Sequence, residues 1–175
     1  MKLLVTIKDK DIRPDYILPK ELNYNPRISP RAVLFDEDNK IALLHVSKHH
    51  YYKLPGGGAE KEEDIKSALA RECLEETGCE IKIIGEIGQT IEYRAGWQTL
   101  QTSYNFLAKV EGKKGQTNFE GDEIDYGFKL IWVDLEQALE LIKNSRPNDD
   151  TYDGKFIVKR DRIILEEAKN IMDNL

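Results

Sequence analysis

Three glutamates, Glu72, Glu75 and Glu76, stand at i, i+3 and i+4, fourteen residues after the triplet Gly56-Gly57-Gly58. On a helix that spacing sets Glu72 beside both others on one face, where each like-charged pair costs roughly 0.2–0.5 kcal/mol. Extending the apolar stripe of Ile65, Ala68 and Leu69 by one turn lands on Glu72 and then Glu76. The carboxylates therefore lie along the end of a buried stripe rather than on a free face. Arg71 reaches Glu75 at i+4, but one guanidinium does not neutralise three carboxylates. Hard oxygen ligands grouped in this way suit Mg2+ or Mn2+, which are held by a few carboxylates plus substrate phosphates. The preceding glycines allow positive φ and close backbone approach, so that a carbonyl or amide can contact a metal or phosphate. A glycine loop alone is a weak signal, and a Glu-rich helix is ordinarily a solvated face. Together they predict a pocket with carboxylates on one wall and pliable backbone on the other.

Charge sharpens this reading. The 175-residue chain carries 26 Lys and Arg against 32 Asp and Glu, a net −6, which argues against a general binder of long nucleic acid. Gly57–Cys79 holds seven acids and three bases, so −4 of the total falls within 23 residues. The acidity is local, and a bound cation would reverse its field toward a phosphate-bearing ligand. The two cysteines, Cys73 and Cys79, have no metal-ligand spacing and read as reduced thiols, which places the chain in the cytoplasm. No apolar run approaches the roughly 20 residues of a membrane span.

The element pattern is mixed. Residues 1–26 read as an N-terminal extension with a strand at Lys2–Ile7 and breaks at Pro14, Pro19 and Pro26. Arg31–Phe35 and Ile41–Val46 read as a hairpin across the polar turn 36–40. Asp64–Thr77 predicts a helix closed by Gly78. Strands follow at Glu80–Ile87, Thr90–Tyr93, Gln98–Val110 and Leu130–Val133, with a loop over 111–121. A helix over Asp134–Lys143, capped by Asp134, and a last helix from about Asp161 complete an α+β fold. The chain divides into the extension, a core of about 27–143, and a C-terminal loop and helix over 144–175, all one domain.

Gly57, Glu63, Arg71-Glu72, Glu75-Glu76 and Gly78 match every fixed position of the box that marks the nudix hydrolases. Cys73 and Cys79 fill its two apolar slots. The chain resembles that family from roughly Arg27 to Lys143. The resemblance implies an α/β/α sandwich with a mixed sheet and the box as loop–helix–loop. It implies metal-dependent hydrolysis of a nucleoside diphosphate linked to another group, with Mg2+ or Mn2+ as cofactor. Carried over, Glu72, Glu75 and Glu76 are metal ligands and catalytic residues, the Gly56 carbonyl joins them, and Glu63 pairs with Arg71 to hold helix against loop. A further acid outside the box completes the metal site or acts as base; Glu123 is the first candidate and Glu120 the second. The box does not say which glutamate is the general base.

Several residues are candidates for substrate contact. His49-His50-Tyr51-Tyr52 precedes the glycine loop, with His50 and Tyr52 placed to stack on a base or to sit on an exposed loop. Tyr93, Arg94 and Trp97 follow the box and suit either a base sandwich or sheet packing. Arg27 and Arg31 suit phosphates, and Asn148-Asp149-Asp150 suits a purine edge or a capped loop. Ser67 lacks the Gly-x-Ser-x-Gly setting of a nucleophile, and no P-loop is present. The expected partner is a small nucleotide-type diphosphate, such as a modified nucleoside triphosphate. ADP-ribose, another nucleotide sugar or an RNA 5′ end are alternatives within the family. In the ADP-ribose group a proline commonly stands where this chain has Ala95. A reading of another class is a nucleotide-sensing module without turnover, which the intact glutamates disfavour. The strand at Lys2–Ile7 supplies either a homodimer interface or an extra sheet edge.

Overall fold

The computed structural model describes residues 1–149 and 151–174. The chain runs β1 (Leu3–Lys8), α1 (Asp9–Ile12), β2 (Asn25–Phe35), β3 (Ile41–Val46), β4 (Tyr51–Lys53) and α2 (Ile65–Thr77). It continues through β5 (Glu80–Arg94), β6 (Thr99–Glu111), α3 (Asp122–Asp125), β7 (Phe128–Val133), α4 (Leu135–Lys143) and α5 (Gly154–Asp173). The strands form one mixed sheet in the order β1-β5-β6-β2-β3-β4, with β7 on β3. β1 runs parallel to β5 and β2 parallel to β6. Among the described residues no helix is long and apolar enough to cross a membrane.

Alternation along the central strands explains the layering. Val33 and Phe35 of β2, Ile41 and Leu43 of β3 and Leu107 of β6 face a core shared with Ala138 and Ile142 of α4 and Ile164 and Leu165 of α5. Their neighbours Ala32, Leu34, Ala42, Phe106 and Ala108 face the opposite core, closed by Leu69 and Cys73 of α2. Both faces of the sheet are therefore buried, which is why these strands read as apolar runs rather than as clean alternation. This is the expected α/β/α sandwich. Cys73 and Cys79 are buried and unbonded.

The helix of the box forms where its caps dictate. Asp64 accepts hydrogen bonds from the amides of Lys66 and Ser67, at 3.0 and 3.1 Å. Gly78 ends the helix at φ 68, a left-handed conformation that strains other residues. Its carbonyl accepts from the Gly115 amide, and the Glu75 carbonyl accepts from Asn118, so the 112–120 loop docks on the helix end.

Several sequence expectations need correction. β2 begins at Asn25 rather than Arg31, because its first six residues pair with β6 although Pro26 and Pro30 lie among them. The hairpin of β2 and β3 is reduced to one pair, Phe35 with Ile41. Beyond it β3 pairs with β4 over Leu44–Val46, and with β7 along its whole length. The two strands expected at Glu80–Ile87 and Thr90–Tyr93 are one, β5, whose register shifts near Gly85 and Gly88 interrupt the apolar pattern without ending the strand. α5 starts at Gly154, seven residues before the expected position. Asp134 does occupy the N-cap position, but its carboxylate makes no cap bond and pairs with Lys40 instead.

The N-terminal extension is built into the sheet. β1 extends the sheet beside β5, and Ile7 is fully buried. Asp9, also buried, accepts from the Ala95 amide at 2.8 Å and from the Tyr152 hydroxyl. That hydroxyl in turn accepts from the Gly96 amide. Residues 9, 95–96 and 152 are thus tied into one corner.

A raft of buried charge joins α5 to the sheet. Arg160 is fully buried and pairs with Glu92 at 3.3 Å and with Asp161 at 2.7 Å. Glu92 also receives Arg94 at 2.9 Å and Gln101 at 2.9 Å. Burial pushes the Glu92 carboxyl up, but Arg160 and Arg94 outweigh it and hold it below the ordinary glutamate value of 4.5. Removing one partner from such a pair leaves a buried charge uncompensated. Glu92→Gln and Arg160→Met should each cost about 3–5 kcal/mol, measured by urea unfolding. Because the folded value is depressed, the contribution of Glu92 is present above pH 4.5 and lost as pH falls through that lower value. The Glu92→Gln protein should therefore lose less stability on acidification than the parent.

Candidate active site

The site opens where β2 and β3 part. The vacant edge of β2 is taken by the glycine loop: the Ala32 amide donates to Pro55 at 3.1 Å, and the Ala59 amide to Ile28 at 2.9 Å. A side chain at Gly56 would place its Cβ 2.3 Å from the Pro30 carbonyl oxygen, and φ is +128 there. Glycine is therefore required at that position on two counts. From beneath, the Leu54 amide donates to Asp161 at 2.8 Å, so the buried raft also seats the start of the loop.

α2 delivers the box glutamates against this loop. Arg71 is the hub. It reaches Glu63 through two bonds of 3.0 Å, Glu72 at 2.9 Å, Glu75 at 3.1 Å and the Gly58 carbonyl at 3.0 Å. Loop, helix and carboxylates are thereby locked to one guanidinium. Glu72 lies so close to Gly57 that a Cβ there would fall 2.1 Å from its carboxylate oxygen. Glu76 is buried, accepting from Lys53 and from the Gly56 amide, each at 2.6 Å. Burial raises its pKa, and Lys53 pulls the other way.

A cleft of about 320 Å³ is lined by Gly56, Gly57, Glu72, Glu76 and Glu123, with Arg27, Arg31 and Lys53 among the facing cations. Glu123 comes from α3, half-buried, its carboxylate accepting from the Glu120 amide at 3.1 Å. Burial raises its pKa as well. Arg31 is only 6% exposed, its Nε has no partner, and it makes no ion pair among the described residues. Burial, then the nearby charge of Arg160, lower it to about 10, so it stays charged at neutral pH.

Not every expected residue reaches the cleft. Glu75 is held on Arg71 outside it, and Glu120 is exposed and accepts from Asn118. His50 is exposed, in the left-handed region at φ 57. Tyr52 turns away from the cleft and stacks on His45 at 4.5 Å. On a strand, successive side chains face opposite sides. Tyr51 and Lys53 therefore enter the cleft while Tyr52 packs behind it, and that alternation was the signal for choosing Tyr51. Tyr93 lies elsewhere, edge-on to Tyr24 at 5.2 Å and under Lys8. Arg94 is consumed by Glu92. Of Asn148-Asp149-Asp150, Asn148 bonds the Lys48 carbonyl and Asp149 pairs with Lys155, while Asp150 lies outside the described residues. Lys53, Asp122, Tyr126 and Asp153 line the cleft without having been singled out.

Among the described residues no three His, Cys, Asp or Glu side chains converge as a ready-made ion site. The donor chemistry does fit a hard divalent cation: carboxylates from two elements and a glycine backbone line one cleft, and two of those carboxyls, Glu76 and Glu123, carry raised pKa values.

A family model described as "NUDIX domain" matches residues 25–154. The chain belongs to the nudix family. Its enzyme class is that of a nudix hydrolase. It is 27% identical over 145 residues to the RNA pyrophosphohydrolase of Campylobacter jejuni, covering 75% of this chain and 90% of that one. It is 26% identical over 119 residues to the diphosphoinositol polyphosphate phosphohydrolase 2 of Rattus norvegicus, covering 66% of this chain and 63% of that protein's length. Among solved structures, a nudix hydrolase from Nitrosomonas europaea aligns with a TM-score of 0.60 at 18% identity, over 83% of this chain and 90% of that one. That likeness speaks to the fold.

Gly57→Ala tests the fit of loop to helix. The added methyl must displace Glu72, so Mn2+ affinity, read by paramagnetic resonance, should fall roughly 10–100-fold. The melting temperature should change little.

Proposed function

We propose that this nudix hydrolase cleaves a diphosphate linkage in a nucleoside diphosphate joined to a further group, with a modified nucleoside triphosphate as the leading substrate. The observation that carries the reading is the cleft itself. Glu72, Glu76 and Glu123 face Arg31 and Arg27 across a glycine backbone. A phosphate chain would be repelled by the acids alone and bound by the arginines alone; both together suit a phosphate chain bridged to carboxylates by cations. Glu72 and Glu76 would hold Mg2+ or Mn2+ together with the Gly56 carbonyl, and Glu75, held here by Arg71 outside the cleft, would join them by releasing that guanidinium. When bound, the metal neutralises phosphate oxygens and lowers the pKa of water.

The chain's own residues supply the rest. Arg31, buried and without an ion-pair partner among the described residues, holds a phosphate in fixed orientation, since a desolvated cation gains most from an anion placed against it. Arg27, whose guanidinium lies against Gly58, adds a second cationic contact from the exposed rim. Arg71 keeps the box glutamates in register with the loop. Glu123, on an element separate from α2, takes a proton from the attacking water and leaves the α2 carboxylates to the metal.

Phosphate and pyrophosphate release across a nucleotide panel with Mg2+, with products identified, tests this. Glu75→Gln and Glu76→Gln should abolish most turnover, and Glu123→Gln should lower kcat by about 10²–10⁴-fold. Turnover equal to the parent in all three would refute the assignment. Arg31→Met should raise KM for nucleotides more than it lowers kcat, since it removes a binding contact.

A further inference from the structure

Beside the cleft lies a second pocket of about 290 Å³. Tyr51, Tyr126, Asp122 and Asp153 line both, so the two are continuous. The far end of the second pocket is aromatic. Trp97 stands there 53% exposed, 5.5 Å from the Tyr152 ring, which is itself fixed by Asp9 and Gly96. A large ring left this open on the wall of a pocket is an unfilled stacking surface.

The arginines and box carboxylates line only the first pocket, Asp122 and Asp153 line both together with Tyr51 and Tyr126, and Trp97 and Tyr152 line only the second. A nucleotide has the same order: phosphates, ribose, base. The two aspartates occupy the shared middle, the place that a ribose takes in this order. Among the described residues neither carboxylate accepts a side-chain or backbone hydrogen bond, and Asp153, at the N-cap position of α5, makes no cap bond. An ionised carboxylate only accepts, so next to a phosphate it is tolerated where the ligand brings donors. The ribose 2′ and 3′ hydroxyls are such donors.

We infer that Asp122 and Asp153 hydrogen-bond the ribose hydroxyls while Trp97 and Tyr152 stack on the base, which makes the site selective for ribonucleotides over deoxyribonucleotides. This deepens the reading of the cleft as a nucleotide site and rests on it. A ligand lacking the 2′ hydroxyl leaves a carboxylate with a bond unmade, and that loss exceeds what the bond alone would gain. Asp122 is exposed and Asp153 half-buried, so solvent moderates the effect to roughly tenfold.

The test measures binding rather than turnover. The α,β-methylene analogues of ADP and GDP and their 2′-deoxy counterparts are titrated with Mg2+ while tryptophan fluorescence is followed. The chain has two tryptophans, and Trp97→Phe assigns the signal. The ribo analogues should quench Trp97 and bind about tenfold more tightly than the deoxy analogues. Of Asp153→Ala and Asp122→Ala, the one at the 2′ hydroxyl should bring that ratio toward unity, and the one at the 3′ hydroxyl, which both sugars carry, should weaken both ligands alike. The exposed Asp122 keeps the test open if Asp153→Ala unfolds. Equal affinity of the parent for both sugars, a ratio unchanged in both variants, or binding without Trp97 quenching each overturns the inference. Discrimination in binding with no hydrolysis of any nucleotide would instead overturn the proposed reaction and leave the sugar contact standing.

Discussion

The structure depends on a strand edge given up by one strand and taken by a loop. β2 and β3 share a single pair before they separate, and an open edge in the middle of a sheet would leave backbone donors and acceptors unpaired in the interior. Pro55 and Ala59 supply the missing partners, from either side of the glycines. The loop is thus a substitute strand, and its glycines are there because the substitute must lie closer to β2 than a side chain allows. Everything chemical in the cleft is positioned from that contact: Glu76 through the Gly56 amide, Glu72 through its packing on Gly57, and Arg71 through the Gly58 carbonyl.

Charge on the two sides of this loop has opposite uses. Beneath it, Arg160, Asp161, Glu92 and Arg94 are paired among themselves and screened from solvent. They contribute a rigid seat for Leu54 rather than reactivity. Above it, Arg31 and the carboxylates are left with bonding capacity to spare. The contrast is one of charge balance: opposite charges paired with each other hold a shape, while a buried cation with no carboxylate against it among the described residues takes an anionic ligand.

The helix and its caps were legible in the sequence because their signals are local. Asp64, the apolar stripe and Gly78 all lie within one helix length of each other, and each acts on neighbouring backbone. The box glutamates were legible for the same reason. What escaped were facts of long range. Whether β5 is one strand or two depends on β6 and β1 bridging its irregularities. Tyr51 rather than Tyr52 enters the cleft because of the face β4 presents, which its pairing with β3 decides. Asp122 and Asp153 lie 43 and 74 residues beyond the end of the box at Cys79 and 31 residues from each other, so no window on the sequence brings them together. Asp122 and Asp153 meet only when α3 and the start of α5 arrive at the same rim.

The tie between Asp9, Ala95 and Tyr152 has a consequence for how the molecule is made. Its three members are drawn from the first, middle and last parts of the chain, so the corner can close only after residue 152 has left the ribosome. The box helix, by contrast, has its caps and its hub arginine as soon as Gly78 has emerged. Contacts of high sequence separation form late, since loop closure must precede any reward from them. A nascent chain would therefore own its carboxylate wall well before it owned a place to put a nucleoside, and any lesion at the amino terminus would be felt at the opposite end of the sequence.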